Sequence, residues 1–286
     1  MRLGAVLTDP LLRDVELVQR LGFDLAWIDA GGAAAPLVAA AGAATVAPSV
    51  RLVVRVEAGA HPLTLAEECA VADLASGGRL TLTVAGADVA LLEETVDVLQ
   101  QALAARPFSH DGVHWRIPAG LPEHSDVEAR IRVTPSPAQL ELPIWVCGPA
   151  GPAVARSRML PYVAVDDERA ESPAGHWDAT AATLGAACLR IRRPGVIDVV
   201  ADGDGAFDRA ALLRRLVGER AAWGMDVAVL RLPAGLRAQA RCAALTRIAR
   251  EVRPRLILDG LPQGLEQHWD APDELHAEWT RDRGDR

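Results

Sequence analysis

Several apolar runs of this chain end in residues that could do chemistry. Phe23-Asp-Leu-Ala-Trp-Ile-Asp29 closes on a carboxylate, and Arg51-Leu-Val-Val-Arg-Val56 runs into Glu57, with His61 four residues further on. Asp29 could serve as a general acid or base, and His61 could orient a substrate, since titratable groups gathered in a cleft mark functional sites. Each has a plain alternative. Asp29 could cap a helix, His61 could close a loop before Pro62, and Glu57 could pair with an arginine instead of facing a pocket, where it would be costly without a partner. Two other runs end in small residues: Leu80–Ala85 leads into Gly86 and Ala87, and Pro143–Cys147 leads into Gly148-Pro-Ala-Gly151. A strand that ends without side chains lets another group approach its backbone.

These residues are positioned by an alternation of short apolar runs and amphipathic stretches. Strands are expected over 3–8, 23–29, 51–56, 80–85, 143–147, 162–165, 196–200 and 227–232. Helices are expected over 11–21, 34–47, 62–75, 89–105, 207–223 and 239–252, with Gly22 and Gly224 as C-caps. Eight strands alternating with helices match a (β/α)₈ TIM barrel, with an open doubly wound sheet as the competitor. Residues 107–142 interrupt the rhythm as an insertion between the fourth helix and the fifth strand. One barrel domain over 1–256 and an acidic, loosely attached tail over 257–286 complete the expected organisation. Asp202-Gly-Asp-Gly205 lacks the downstream acid of a calcium loop and reads as a turn.

Composition narrows the chemistry. The net charge of −8 over 286 residues argues against a nucleic-acid partner. Absence of an apolar run of ~18 residues argues against a membrane span, and an N-terminus that soon turns acidic argues against a signal peptide, so a cytoplasmic protein is expected. All 30 basic residues are arginine. Without a lysine amine there is no Schiff-base chemistry and no Walker-type phosphate loop. The four cysteines lie far apart, without metal-ligand or disulfide spacing, and are expected to be small buried residues. Of the remaining polar candidates, Arg79 is expected to make a salt bridge at the base of the barrel. His110, His114 and His124 are expected in a solvated loop.

Four segments resemble the luciferase-like monooxygenase superfamily, flavin- and deazaflavin-dependent barrel enzymes. They are Gly22–Trp27; His61-Pro-Leu63 with Ala66-Glu67, running on to Asp73-Leu-Ala-Ser-Gly-Gly-Arg-Leu80; Gln139–Gly148; and Gly224–Arg231 with Glu251–Pro254. The resemblance implies a site at the C-terminal ends of the strands. It implies a flat tricyclic ring close to Glu57, Ala85 and Gly86. The flavin phosphate would lie at Cys147, Gly148 and Gly151, where a helix N-terminus suits an anion. His61 and Asp29 would be the catalytic groups.

The function so implied is oxidation of a small organic substrate with reduced FMN, or with a deazaflavin, by a homodimer. A second reading stays open. The abrupt run from Asp88 into Val89 and the proline in Cys147–Gly151 suit a degenerate barrel without cofactor, acting as a binding or subunit-partner protein. A cofactor-free hydrolase or isomerase using Glu57 and Asp29 is the third.

Overall fold

The structure, a computed structural model, describes residues 1–7, 11–29, 35–104, 106–119, 129–168, 171–184 and 191–258. The strands are β1 (Arg2–Leu7), β2 (Leu25–Ile28), β3 (Arg51–Glu57), β4 (Leu80–Ala85), β5 (Ile144–Cys147), β6 (Ala164–Val165), β7 (Pro194–Asp198) and β8 (Val227–Arg231). The helices are α1 (Leu11–Arg20), α2 (Pro36–Val46), α3 (Pro62–Ser76), α4 (Val89–Leu103), α5 (Gly151–Arg158), α6 (Pro173–Leu184), α7 (Arg209–Trp223) and α8 (Ala238–Arg247). A π-helical turn, Ile248–Val252, and the helix Arg253–Leu258 extend α8.

All strand pairings in the large sheet are parallel, and β8 pairs with β1, Arg2 opposite Val227. That pairing excludes the open doubly wound order. The last seam, between β5 and β6, closes through one bridge, Val146 with Tyr162, made by Val146 N–H to Pro161 O and Val163 N–H to Val146 O, each 2.9 Å. The result is a (β/α)₈ barrel with one thin seam.

Two cores follow from strand geometry, because successive side chains face opposite ways. One fills the cylinder: Leu25, Trp27, Val53, Ala85, Trp145, Cys147, Val163, Val165, Val196, Val227 and Val229. The other lies between strands and helices and holds most of the buried leucine, isoleucine and alanine. Every residue of β4 is buried, as a parallel strand covered on both faces requires. Gly4 is bare because a Cβ there would lie 2.2 Å from Leu25 Cδ1; the glycine makes room for its neighbour's leucine.

The helix ends obey local rules. His61 caps α3 with Nδ1 accepting from Leu63 N–H at 3.3 Å, Pro62 follows at the first turn, and Gly77 ends the helix at φ +64°. Asp208 caps α7 by accepting from Ala210 and Ala211 N–H. Helix α6 was not anticipated: its sequence, PAGHWDATAATL, lacks the leucine spacing that marks the others.

At the base of the barrel, Asp73 is fully buried. Its carboxylate accepts from Gln139 N–H and Gln139 Nε2, each at 2.8 Å, and from Leu80 N–H at 3.3 Å. This joins the end of α3, the start of β4 and the approach to β5. Arg79 beside it donates to the carbonyls of Ser76, Ala47 and Val50, so its base-of-barrel role is met by carbonyl oxygens in place of the expected salt bridge. Of the four cysteines, Cys69 and Cys147 are buried thiols, Cys242 is half-buried, and Cys188 lies outside the described residues, as does the tail from residue 259. No helix among the described residues is long and apolar enough to cross a membrane.

Two measurements test this scaffold. Asp73→Ala leaves the N–H groups of Gln139 and Leu80 without their acceptor and takes one of two acceptors from Gln139 Nε2, and should cost about 2–4 kcal/mol of stability in a urea titration. On α6, His176 is buried between Tyr162 and Trp177, and burial pushes its imidazole down to about 4. The folded state then refuses a proton that the unfolded chain takes. Stability should therefore fall as the pH drops from about 6.5 toward 4, by roughly 3 kcal/mol from this residue. His176→Gln should remove that part of the pH dependence.

Candidate functional site at the barrel mouth

The C-terminal ends of the strands form a mouth ringed by charge. Arg55, on β3, bonds Glu168 Oε1 at 2.7 Å and Glu57 Oε1 at 3.3 Å. Arg231, at the end of β8, grips Asp198 through Nε at 2.6 Å and Nη2 at 3.0 Å, and Asp167 at 2.8 Å. Arg215, on α7, bonds Asp166 at 2.5 Å, and Asp166 also accepts from Asp198 N–H. The turn Asp166-Asp167-Glu168, which follows β6, thus takes one arginine from each of three elements. Hydrogen bonding from Arg231 holds the Asp167 carboxyl below its usual range, and the hydrogen bonds of Asp198 and Asp167 keep Arg231 firmly charged.

Beside this network lies a cavity of about 850 Å³ between the ends of β1, β2, β7 and β8. Val6, Val199, Leu232 and Leu236 supply apolar lining; Asp29, Asp198, Arg231 and Arg241 supply its charged groups. Arg241 reaches it from α8 while paired at 3.0 Å to the buried Asp14. Of the two groups expected to be catalytic, Asp29 lines the cavity and His61 does not.

His61 stands at the rim near β3, its ring 5.1 Å from Trp115 in an edge contact. Trp115 belongs to the segment between α4 and β5, where His110–Asp111 pairs antiparallel with Arg116–Ile117. Glu94, on α4, holds this hairpin: it accepts from the N–H groups of His114 and Trp115 and lies 3.1 Å from His110 Nε2. Burial alone would raise the Glu94 carboxyl, but these hydrogen bonds bring it below its usual range. His110 is therefore a mostly buried anchor and not a solvated loop residue, while His124 lies outside the described residues.

The small residues bring two loops together. Gly148 has φ +79°, and a Cβ on it would sit 2.9 Å from Gly86 O; Gly86 itself packs on Leu92 and Ala58. Gly86 O accepts from Ala150 N–H at 3.0 Å, Ala85 O from Ala58 N–H at 2.9 Å, and Gly148 O from Gly151 N–H at 3.0 Å. Pro149 and Pro152 have no N–H to give. At the turn before α5 the N–H groups of Ala150 and Gly151 are therefore taken, and the bareness of Gly86 and Gly148 lets two loops meet. Cys147 is fully buried inside the barrel, and burial pushes its thiol up to about 12. Glu57 is two-thirds exposed, as a partner of Arg55. The Asp202–Gly205 stretch is a turn, with Asp202 Oδ1 accepting from Asp204 and Ala206 N–H, and no metal-binding cluster occurs among the described residues.

Gly148→Ala tests the packing reading. It should lower stability by about 1–3 kcal/mol through backbone strain and the clash with Gly86, read from the urea midpoint without any ligand.

No family model matches the chain, and no curated protein matches it. Solved structures do. A monooxygenase, RslO1, from Streptomyces bottropensis aligns over 90% of this chain and 100% of its own at 18% identity, with a TM-score of 0.73. The oxygenating constituent of 3,6-diketocamphane monooxygenase from the CAM plasmid of Pseudomonas putida, in complex with FMN, aligns over 89% and 98% at 14% identity, with a TM-score of 0.63. A riboflavin lyase with modified FMN and riboflavin aligns over 91% and 92% at 11% identity, with a TM-score of 0.67. The chain therefore shares its fold with these solved structures.

Proposed function

We propose that the chain is an oxidoreductase of the monooxygenase type, acting on a small organic substrate with a flavin at the barrel mouth. The observation that supports this reading is the cavity of about 850 Å³ at the strand C-termini, the end of a (β/α)₈ barrel where active sites lie. Its volume is within the range of cofactor and ligand pockets. Among solved structures of this fold are ones described with FMN or modified FMN.

In this reading Val6, Val199 and Leu232 would flank the isoalloxazine ring, and Asp29 would accept or return a proton at its carboxylate. The flavin supplies the redox chemistry when bound. The chain's own contribution is an apolar, partly enclosed space and fixed dipoles. Arg231, locked by Asp198 and Asp167, would present a preorganised positive edge to charge developing on the substrate. His61, with Nδ1 taken by Leu63 N–H, would present Nε2 as a donor at the rim.

A second reading is favoured by one observation, that the N–H groups of Ala150 and Gly151 are taken within the chain and that Pro149 and Pro152 have none. In it the barrel binds a small molecule without flavin catalysis.

Flavin titration decides between them. Quenching of flavin fluorescence should give a Kd below about 10 µM for FMN or a deazaflavin. Asp29→Asn should keep that affinity while lowering substrate-dependent flavin oxidation at least ten-fold. No binding of either cofactor at 100 µM would transfer the case to the second reading.

A further inference from the structure

We infer that the base of the barrel, the end opposite the mouth, is a docking surface for the acidic residues 259–286 of the same chain. The inference is independent of what the mouth binds.

Arginines gather where the strands begin. Arg2, Arg51 and Arg79 stand at the entrances of β1, β3 and β4, and Arg192 lies two residues before β7. Strand alternation turns Arg2 and Arg51 inward, on the sides of Val6 and Val53. Arg51 donates through Nη1 to Thr81 Oγ1 at 3.2 Å and to Leu80 O at 3.4 Å. Arg79 donates to the carbonyls of Ser76, Ala47 and Val50. Among the described residues, no carboxylate pairs with Arg2, Arg51 or Arg79.

The acids at this end are engaged elsewhere or stand apart. Asp24 accepts from Leu3 N–H at 2.8 Å, and Asp73 holds Gln139 and Leu80. Asp226 takes Arg193 N–H and the Arg192 guanidinium. Glu141, before β5, is exposed and pairs with none of these arginines. Arg51 registers the imbalance. Burial pushes its guanidinium below the usual range, the charges of Arg2 and Arg192 push the same way, and Asp73 opposes them. Half-buried cations without a counter-charge are costly, so this end of the barrel favours an anionic partner.

The chain carries one. Residues 259–278 hold six acids, Asp259, Glu266, Asp270, Asp273, Glu274 and Glu278, and no arginine. They leave from the base. Arg253, which opens the last described helix, lies against Gly22 just before β2: a Cβ on Gly22 would sit 2.8 Å from Arg253 Nη1. That helix ends at Leu258, roughly 8 Å further along its axis. Seven extended residues from Asp259 would span roughly 23 Å, enough to bring Glu266 over the strand entrances. Tethering gives these carboxylates an effective concentration in the millimolar range. A separate acidic partner has no such advantage.

Endoproteinase Glu-C, which cuts after glutamate, reads the docking on the full chain at Glu266, Glu274 and Glu278. At about 25 mM salt, cleavage there should be at least five-fold slower than in a synthetic peptide of residues 259–286; at about 500 mM salt the two should agree within two-fold. Arg2→Gln and Arg51→Gln should each raise the low-salt rate at least three-fold. The Arg2 side chain has no hydrogen-bond partner among the described residues to lose, so that variant decides if Arg51→Gln fails to fold. Arg237→Gln makes the same change of charge at an 81% exposed position outside the base, and should leave the rate within two-fold. Protection should not depend on protein concentration.

Cleavage at the peptide's rate in low salt would overturn the inference. So would protection that survives both Arg2→Gln and high salt, or an Arg237→Gln effect as large as that of Arg2→Gln. Protection that grows with protein concentration would overturn it as well, by placing the acids on a second copy.

Discussion

The backbone seam between β5 and β6 governs the mouth. Strand β6 is only two residues long, so the cylinder closes through the Val146–Tyr162 bridge and the hydrogen bonds on either side of it. A short parallel pairing is weak in itself. The Asp166–Glu168 turn follows directly and compensates. Its carboxylates reach Arg55 from β3, Arg231 from β8 and Arg215 from α7, which ties the short strand to three better-anchored elements. Closure of the barrel and the electrostatics of its mouth are thus one construction. A change to either alters the other.

Much of the scaffold was legible in the sequence. The strands are short apolar runs bounded by glycine, proline or charge, and the apolar content of β4 requires cover on both faces. Gly22, Gly77 and Gly224 all sit at positive φ, where helix ends favour glycine. Boundaries moved by a few residues where the chain leaves a sheet gradually: the seventh strand, expected over 196–200, runs from Pro194 to Asp198. Helix α6 has no legible period because its buried side chains include His176, Trp177 and Thr180, a mixture without an aliphatic stripe.

The site was less legible, for a physical reason. Bare strand ends signal that something lies close to the backbone and do not say what. At Gly86 and Gly148 it is the chain itself. Partners across the mouth are equally hidden: Arg55 and Glu168 stand 113 positions apart, and no local pattern joins them. Glu94 illustrates the same limit. It reads as one acid on an amphipathic helix, yet it holds the hairpin carrying His110 and Trp115. The position of Asp29 beside the cavity was legible because it ends an apolar run, and a barrel places such residues at the mouth. The cavity beside it, by contrast, depends on loops after β7 and β8 whose paths follow no periodicity.

The choice of arginine for every cation has a consequence for how the mouth could be regulated or disturbed. A guanidinium cannot be acetylated by the enzymes that silence lysine, and it stays charged far above the pH at which an ammonium loses its proton. The clamps on Asp198, Asp167 and Glu168 are therefore indifferent to acyl transfer and to alkaline surroundings. Arginine methylation, which keeps the charge but blocks a forked hydrogen bond, is the covalent change that would reach them.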